Sequence, residues 1–456
     1  MEHRSRVVHP LETRPIERIV RPFQDFAHQE ASSGIVLLLA AAAALVWVNS
    51  PWSDSYYELW ESHLRIGVGG FLLDKPLEAW INDALIVVFF FVVGLEIKRS
   101  ILVGELSSPK SAALPVVAAV GGVILPALIY LGFNTLGSEG GRGWAIPVAT
   151  DIAFSLGVLA LLGSRVPLSL KVFLAAFAIA DDVAGVTIIA VFYTENISWM
   201  NLGVAFGFLG ALTVANRLDI HNPLPYAVLG ILVWYYFLQS GVHTTVAGIL
   251  VAATVPIRVR MDADRFLERA RILLTEFERH DEDTTDMLPA TIEQRAAVQE
   301  LEVACQRVES PLQRMEHALH PWVAFLIIPI FALANAGVAL DTGLESALTS
   351  SITWGVLVGL VAGKSVGVTL FAWLAVRSGV AAMPQGVNWR QMFGVALLGG
   401  IGFTMALFIT NLTFVDDGLI ADAKIGILAG SIIAGAGGWL ILRRANTERV
   451  ADTATD

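Results

Sequence analysis

Long apolar stretches separated by short polar segments recur along nearly the whole chain. A helix that crosses a bilayer needs about 17–25 mostly apolar residues, and about twelve stretches approach this length. Their centres lie near Leu39, Phe89, Val123, Phe154, Ile179, Phe208, Leu232, Ile249, Pro329, Leu360, Phe403 and Ile433. The pattern predicts an all-α polytopic membrane protein with about twelve transmembrane helices.

Two segments interrupt this pattern. Between the first two apolar stretches, HLRIGVGGFLLDK contains two short apolar runs around Gly67–Gly70, which predicts a small periplasmic β-hairpin near residues 63–75. Since an exposed hairpin edge can pair with a second copy, we expect a homodimer formed through the Gly67–Gly70 hairpin. The second segment, residues 258–320, is charged and predicts a cytoplasmic helical insertion. Its first helix is expected to place Phe266, Leu267, Ile272, Leu273, Leu274 and Phe277 roughly on one face.

The distribution of Lys and Arg predicts the orientation of the chain. Cytoplasmic loops of membrane proteins carry an excess of these residues, and only Arg65, Lys75 and Arg142 fall in the loops assigned to the outside. Both termini are therefore predicted to be cytoplasmic. The predicted parts are a cytoplasmic N-terminal segment (1–30), spans one to eight (31–257), the insertion (258–320), spans nine to twelve (321–444) and a cytoplasmic tail (445–456).

Composition supports a membrane protein. Of the 456 residues 55% are hydrophobic and only 16% are charged, whereas soluble domains carry about 25% charged residues. The net charge of −11 says little about partners, because the charges concentrate outside the apolar stretches, and the sequence shows no basic face for nucleic acid. A single cysteine, Cys305, excludes an internal disulfide framework and indicates no cysteine-based metal or redox role, and we expect no cofactor. The polar N-terminus lacks the features of a cleaved signal peptide, so the first apolar stretch is expected to remain a membrane helix.

Two adjacent aspartates, Asp181 and Asp182, lie in the middle of the apolar run from Ser169 to Thr194. One acidic side chain at bilayer depth costs roughly 2.5–3.5 kcal/mol on insertion scales. Intramembrane charges are functional by default, so this pair predicts a binding site. An internal ion pair without a role in transport is the alternative.

The fourth and eleventh apolar stretches contain residues that break helices. The fourth has Pro147, Thr150 and Asp151, and the eleventh reads GGIGFTMALF from Gly399. Breaks at matching places in two halves indicate inverted repeats around a transport site. Half-helix ends carry partial charges, so crossing broken helices would place Asp151 at positive ends and Lys364, from the tenth stretch, at negative ends. Close helix packing by the glycines, a capping role for Asp151 and a snorkelling Lys364 are the alternatives.

These residues suggest a chemistry. A carboxylate at membrane depth needs a proton, a cation or a basic partner, and its hard oxygens suit a small alkali cation. A site that holds either H⁺ or Na⁺ exchanges them by competition, and alternating access makes it an antiporter. Adjacent helical residues point about 100° apart, so one of Asp181 and Asp182 can bind the cation while the other pairs with Lys364.

Specific motifs resemble one family over most of the chain, from about Phe23 to Arg444. The chain resembles the NhaA family of bacterial sodium/proton antiporters. The motifs lie at Trp80–Arg99, Ala149–Gly163, Ala178–Thr194, Ser240–Gly248, His320–Val338, the Lys364 region and Gly399–Ile409. The resemblance implies an electrogenic, pH-regulated exporter of Na⁺ and Li⁺ in the bacterial inner membrane, with inverted repeats and roles in pH homeostasis and salt tolerance.

The resemblance also implies roles for individual residues. Asp182 matches the essential cation-binding carboxylate, and Asp181 matches the acid that pairs with Lys364. Thr150 and Asp151 match the crossing of the broken helices next to the site. Further matches are Asp83 for the ion pathway and Glu96, Lys98, Arg99, His243, Glu316, His317 and His320 for the pH response. From the residues alone, surface or capping roles for these histidines are equally good interpretations.

The chain departs from the family pattern in three places. Ser100 stands where an acidic residue is familiar, Ser365 replaces a proline, and the 258–320 insertion is much longer than usual. Two other functions compete with antiport. A sodium-coupled solute symporter of similar fold would need a roomier polar cavity. An intramembrane aspartyl protease would use two aspartates as acid and base, but its Gly-x-Gly-Asp pattern is absent and Lys364 would have no role.

Overall fold

The computed structural model describes residues 30–68, 71–162, 166–194, 197–259, 261–279 and 292–452. Residues 1–29 of the predicted N-terminal segment, the hairpin residues Gly69 and Gly70, residues 260 and 280–291 of the predicted insertion, and residues 453–456 of the predicted tail lie outside these ranges. The fold is almost entirely helical, as predicted.

The first half of the chain consists of ten α-helices within these ranges and a two-stranded hairpin. They are α1 (Glu30–Val48), α2 (Ser53–Glu61), β1 (His63–Val68), β2 (Phe71–Pro76), α3 (Leu77–Trp80), α4 (Ile86–Leu102), α5 (Pro109–Phe133), α6 (Ile152–Leu161), α7 (Leu168–Phe192), α8 (Trp199–Arg217), α9 (Pro223–Ser240) and α10 (Thr244–Thr254). A π-helical turn, Ile81–Leu85, joins α3 to α4, and a 3₁₀ helix, Gly140–Val148, precedes α6.

The second half adds ten further α-helices within the same ranges. They are α11 (Ala263–Arg279), α12 (Ile292–Val308), α13 (Pro311–Trp322), α14 (Ile328–Asn335), α15 (Leu340–Thr349), α16 (Ser351–Val358), α17 (Lys364–Arg377), α18 (Trp389–Leu398), α19 (Phe403–Thr413) and α20 (Asp417–Asp452). The π-helical turn Val323–Ile327 joins α13 to α14, and Gly359–Gly363 joins α16 to α17. Each of the twelve predicted span centres falls in a helical stretch.

Many of these helices are long and apolar enough to cross a membrane. Among the described residues, six helical segments qualify singly, and up to nine spans result if each strongly bent helix pair counts as one. Two of the bent pairs fall at the predicted breaks: the 3₁₀ helix and α6 are inclined by 42°, and α18 and α19 by 46°. The chain is therefore a multi-pass membrane protein.

Small residues bring α5 and α17 into close contact. A methyl group added at Gly121 would overlap the Gly367 carbonyl oxygen, and the reverse is also true. At the next residue, an added Cβ at Gly122 would lie 3.6 Å from Cδ of Lys364. Because membrane helices gain no hydrophobic driving force from lipid, such small residues favour close packing. The contact holds Lys364 inside the bundle, where it is fully buried.

The predicted hairpin is confirmed. β1 and β2 pair in antiparallel fashion with Arg65 opposite Asp74. The Asp74 carboxylate lies 2.6 Å from the His63 ring and 2.8 Å from Nε of Arg65. The hydrogen bond with His63 and the charge of Arg65 hold the pKa of Asp74 below its ordinary value.

The insertion contains a helix pair, α11 and α12, whose helices pack against each other. The predicted apolar face of α11 is wrong in part, because Leu273 is buried whereas Leu267, Ile272 and Leu274 are exposed. A period of 3.6 residues places these exposed side chains away from the α12 contact. The end predicted at residue 320 falls within a helix, since a capping box at Ser310 starts α13 and the candidate span runs from Pro311 to Asn335.

Replacing Gly121 with Ala is expected to destabilise the protein. Overpacking a close contact costs about 1–3 kcal/mol, because the added methyl group meets backbone atoms of α17. The midpoint temperature of thermal unfolding in detergent measures the effect. Gly132→Ala on the same helix is the matched control, since a Cβ there meets nothing within 4 Å. Equal midpoints for the two variants would contradict this account of the packing.

Removing most of the insertion is expected to leave the remaining fold intact. The ends of the excised part are close, because the Met261 amide donates to the Arg307 carbonyl at 3.1 Å and the Leu312 amide to the Pro256 carbonyl at 3.2 Å. Residues 262–306 can therefore be replaced by a short glycine linker without straining α10 or α13. Size-exclusion chromatography and thermal unfolding compare the variant with the full chain. Aggregation or a much lower midpoint would show that the helix pair supports the membrane region.

Candidate functional site

Two chain breaks meet in the interior of the molecule. The first separates the 3₁₀ helix from α6, and the second separates α18 from α19. The Asp151 amide donates to the Ile401 carbonyl at 2.7 Å, and the Thr150 hydroxyl donates to the Gly399 carbonyl at 2.7 Å. Glycine is needed in the second break, because a Cβ at Gly400 would overlap a backbone oxygen of the neighbouring π-helical turn.

Asp151 binds the N-termini of two helices at once. Its carboxylate accepts a hydrogen bond from the Phe154 amide of α6 at 2.9 Å. It also accepts from the Thr404 amide of α19 at 3.2 Å and from the Thr404 hydroxyl at 2.6 Å. Helix N-termini carry partial positive charge, so one buried carboxylate compensates both. The capping role considered for Asp151 is thus one part of a contact that also joins the two breaks.

At each break, a backbone carbonyl at the C-terminal end of the preceding helix accepts a side-chain hydrogen bond. The Lys364 ammonium donates to the Val148 carbonyl at the end of the 3₁₀ helix. The Ser155 hydroxyl donates to the Leu398 carbonyl at the end of α18, at 2.8 Å. Because such carbonyls carry partial negative charge and water is absent from a bilayer core, these donors stabilise the interrupted backbone.

Lys364 also forms a buried ion pair. Its Nζ lies 2.7 Å and 2.8 Å from the two carboxylate oxygens of Asp181. The two side chains are 0% and 1% exposed, so water screens the pair little. The structure therefore brings together α7, α17 and the C-terminal end of the 3₁₀ helix through a single ammonium group.

Asp182 differs from its neighbour. Its side chain is buried, and no hydrogen bond or ion pair reaches its carboxylate from the part of the chain that the structure describes. Asp181, Asp151 and Glu96 act on it electrostatically as like charges, and Lys364 acts on it as an opposite charge without a direct contact. The described residues contain no group of three His, Cys, Asp or Glu side chains spaced to hold a metal ion. Asp182 is therefore a single carboxylate without a direct partner, next to paired charges.

The residue predicted for the ion pathway lies apart from the crossing. Asp83 lies in the π-helical turn before α4 and pairs with Lys75 at 2.6 Å. Its carbonyl accepts a hydrogen bond from the Trp234 indole, also at 2.6 Å. The residue thus connects the end of the hairpin with α9.

The residues predicted for the pH response make their known contacts at different places in the described chain. Arg99 and Glu316 pair at 3.1 Å and join α4 to α13. Lys98 instead donates to the Ala253 and Val255 carbonyls at the end of α10, both at 2.6 Å. The others are dispersed: Glu96 is near Asp182, His243 lies 2.6 Å from the Tyr193 carbonyl, and His317 and His320 are exposed on α13.

The two serines that depart from the family pattern differ in environment. Ser100 is buried, and its hydroxyl has no hydrogen-bond partner among the described residues. The Ser365 hydroxyl donates to the Val361 carbonyl one turn earlier, at 2.5 Å. Replacement of the proline thus leaves a donor inside the helix next to Lys364.

Sequence reasoning missed three hydroxyl groups at the crossing. Ser155 and Ser431 are not among the predicted site residues, and neither is Thr404, which lies within the GGIGFTMALF motif. Ser431 accepts a hydrogen bond from the Phe403 amide at 3.2 Å. Ser155 and Thr404 lie within about one turn of a break, and this closeness was the available signal.

Fold and site together define a class: a polytopic helical membrane protein with buried charges at the meeting point of two interrupted helices. Residues 24–442 match the family model described as Na+/H+ antiporter 1, and the chain belongs to this family. The resemblance seen in the sequence is thereby confirmed. The family consists of transporters, so the protein is not an enzyme, and the aspartyl protease alternative is wrong.

Similar proteins support this assignment. A Na(+)/H(+) antiporter NhaA from Koribacter versatilis is 49% identical over 94% of this chain and 93% of its own length. Another from Oleidesulfovibrio alaskensis is 47% identical over 94% of this chain and 95% of its own length. The solved structure of a sodium proton antiporter from Methanocaldococcus jannaschii covers 94% of this chain and 95% of that chain, with a TM-score of 0.47 and 11% identity. That structural likeness is too distant to support an inference.

Replacing Lys364 with Met is expected to destabilise the protein strongly. Removal of one partner from a buried ion pair costs about 3–5 kcal/mol, because Asp181 keeps an uncompensated charge. The double variant Lys364→Met with Asp181→Asn is expected to recover part of the loss. Thermal unfolding in detergent measures this coupling as a double-mutant cycle.

Lys110→Met is the control for loss of a lysine, since Lys110 is exposed. The same midpoint temperature for Lys364→Met and Lys110→Met would contradict the assigned role of the ion pair. Additive effects of the Lys364 and Asp181 changes would contradict direct coupling between them.

Proposed function

We propose that this protein is an electrogenic antiporter that exports Na⁺, and also Li⁺, in exchange for H⁺. The observation that carries the proposal is the contrast between two adjacent carboxylates. Asp181 is paired with Lys364, whereas Asp182 has no direct partner among the described residues. Because a buried carboxylate needs a counter-charge or a proton, Asp182 is the position at which Na⁺ and H⁺ compete.

The surrounding groups prepare Asp182 for this competition. Asp151 is compensated by two helix N-termini, and Asp181 is compensated by Lys364. Binding one Na⁺ or one proton at Asp182 then balances the remaining charge. The nearby carboxylates repel the negative charge of Asp182, since like charges repel. They therefore favour the neutralisation of Asp182 by either cation, H⁺ or Na⁺. Thr150 helps to hold the two breaks in place beside the site.

The ion pair supplies the electrogenic part of the proposal. Replacing one proton by one Na⁺ at Asp182 would move no net charge. A further proton carried by the Lys364–Asp181 pair during the cycle makes the protons outnumber the sodium ions. The membrane potential then helps to drive Na⁺ out of the cytoplasm.

We further propose a twelve-span arrangement in the bacterial inner membrane, with both termini cytoplasmic. Nine spans result when each bent pair counts as one span. Three further spans make twelve: the first runs from α3 to α4, the second is α9 and the third is α10. In this arrangement two of the three bent pairs, the 3₁₀ helix with α6 and α18 with α19, are the broken spans of two inverted repeats. The hairpin lies on the periplasmic side and forms the homodimer contact through its edge.

A pH response is assigned to the cytoplasmic ends of α4 and α13. The Arg99–Glu316 pair joins these helices, and Glu96 on α4 interacts with Asp182. A change of charge on this surface therefore alters the field at the transport site. Four further residues contribute to the same pH response by changing the positions of α10 and α13: Lys98, His243, His317 and His320.

The symporter alternative needs a polar cavity for an organic solute. One cavity of about 910 Å³ lies between α4, α9, α10 and α13. Its lining is almost entirely apolar, Arg314 is the single charged residue in it, and Asp182 does not border it. This cavity does not suit a polar solute coupled to the aspartate site, which favours ion exchange.

The variant Asp182→Asn is expected to abolish cation-dependent proton movement while the protein stays folded. The amide keeps the shape of the side chain but binds neither a proton nor Na⁺ as a carboxylate does. Inside-out vesicles from cells without other sodium/proton antiporters, with an imposed pH gradient reported by a fluorescent weak base, measure the loss. We expect Na⁺ and Li⁺, but not K⁺, to collapse the gradient with the unmodified protein.

The matched control is Asp422→Asn, which alters a buried aspartate bound to the Ser346 hydroxyl at 3.3 Å. It is expected to retain exchange, because Asp422 lies outside the crossing. Full exchange by Asp182→Asn would refute the proposed site. No exchange by the unmodified protein at neutral or alkaline pH would refute antiport itself.

A further inference from the structure

Three asparagine side chains from three helical segments form a hydrogen-bonded group, here named the amide cluster: Asn82, Asn335 and Asn411. The amides of Asn82 and Asn335 bond to each other reciprocally, at 3.2 Å and 3.0 Å. The Asn411 amide donates to the same Asn335 oxygen. Asn335 also donates to the Phe331 carbonyl at 2.8 Å and is fully buried.

The amide cluster ties the second broken span to its neighbours. Asn411 lies on α19, whose N-terminus is held by Asp151. From Phe403 to Asn411 the helix rises about 12 Å at 1.5 Å per residue. Asn335 is the last residue of α14, and Asn82 lies in the π-helical turn before α4. Thus α19 is bonded to the aspartate site at one end and to two other segments near its other end.

The position of the amide cluster relative to the site follows from α4 and the turn that precedes it. Asn82 lies close to the hairpin end, whereas Glu96 interacts with Asp182 from further along the same segment. The two residues are separated by about 21 Å along a helix. The amide cluster therefore lies on the hairpin side of Glu96, separated from it by the length of this segment.

We propose that the amide cluster is a latch that closes the hairpin side of the molecule to Asp182 and must separate for the site to open there. The proposal rests on the antiport function proposed above. Amide groups suit this task because they are neutral, so they compete with neither Na⁺ nor H⁺ for the aspartates. Their bonds contribute little net free energy when water can replace them, so the latch is reversible. Asn82, Asn335 and Asn411 are positioning residues, not ion ligands.

A purely structural role makes a different prediction. Buried amides generally find partners simply to avoid a desolvation cost, and their loss would then lower the stability or the overall rate. A latch affects the two sides of the membrane unequally. Weakening it increases the fraction of molecules open to the hairpin side, and the apparent affinity from that side rises in proportion to this fraction.

The test uses Asn411→Ala and Asn82→Ala in separate full-length proteins. The KM for Na⁺ is measured from each side, in right-side-out and inside-out vesicles. We expect the KM from the hairpin side to fall about fivefold, the effect of one hydrogen bond of typical net strength. The KM from the other side is expected to rise less than about twofold, because that state is already the major one.

Asn201→Ala is the matched control. Asn201 is also a half-buried asparagine with two partners, the Ser198 hydroxyl at 3.2 Å and the Gln239 carbonyl at 3.0 Å, but it lies on α8 away from the amide cluster. We expect it to leave both KM values unchanged. The two test residues lie on different segments and are partly exposed, so one variant remains informative if the other does not fold.

The outcomes separate the two proposals. Opposite changes of KM on the two sides in either variant, absent in the control, support the latch. Parallel changes, or none, in active vesicles overturn the latch and leave antiport standing. Absence of sodium-dependent proton movement in the unmodified protein overturns the antiport function, and the latch falls with it.

Discussion

The need to compensate interrupted backbone inside an apolar bundle governs the rest of this structure. Two helices break where water cannot satisfy their free amide and carbonyl groups. Asp151 binds both N-terminal ends, and Lys364, Thr150 and Ser155 bind the opposing carbonyl groups. Each of these four side chains bonds to at least one segment other than its own. The breaks are therefore stable only when the whole bundle is assembled.

The proposed transport site follows from this compensation. Lys364 reaches Val148 and Asp181 because Gly121 and Gly367 let α5 and α17 approach closely. Once Asp181 is paired, Asp182 is the neighbouring carboxylate that remains without a direct partner in the described chain. The glycine contact between α5 and α17 thus positions Lys364 to pair with Asp181, which leaves Asp182 as the carboxylate available for an ion.

Several features could be predicted because they depend on local sequence. Apolar length predicted the helices, and two acids in an apolar run indicated a site. The hairpin followed from two short apolar runs around glycines. The prediction for α11 failed in part, because hydrophobicity alone does not show which of Leu267, Leu273 and Leu274 contacts α12. His317 and His320 are exposed on α13, and their part in a pH response stays a prediction.

The sequence by itself determined the class of protein, the family and the residues that bring charge into the membrane, since each of these depends on composition and local order. The residues alone left open which aspartate pairs with Lys364, and the family resemblance implied Asp181, which the structure shows in contact with the lysine. Tertiary structure decided the other partners, because it placed Thr404 and Ser155 at the breaks. It also joined Asn82, Asn335 and Asn411 across separations of up to hundreds of residues. The physical reason is that hydrogen bonds and ion pairs act over a few ångströms in space, and distance along the chain does not reveal which side chains come that close.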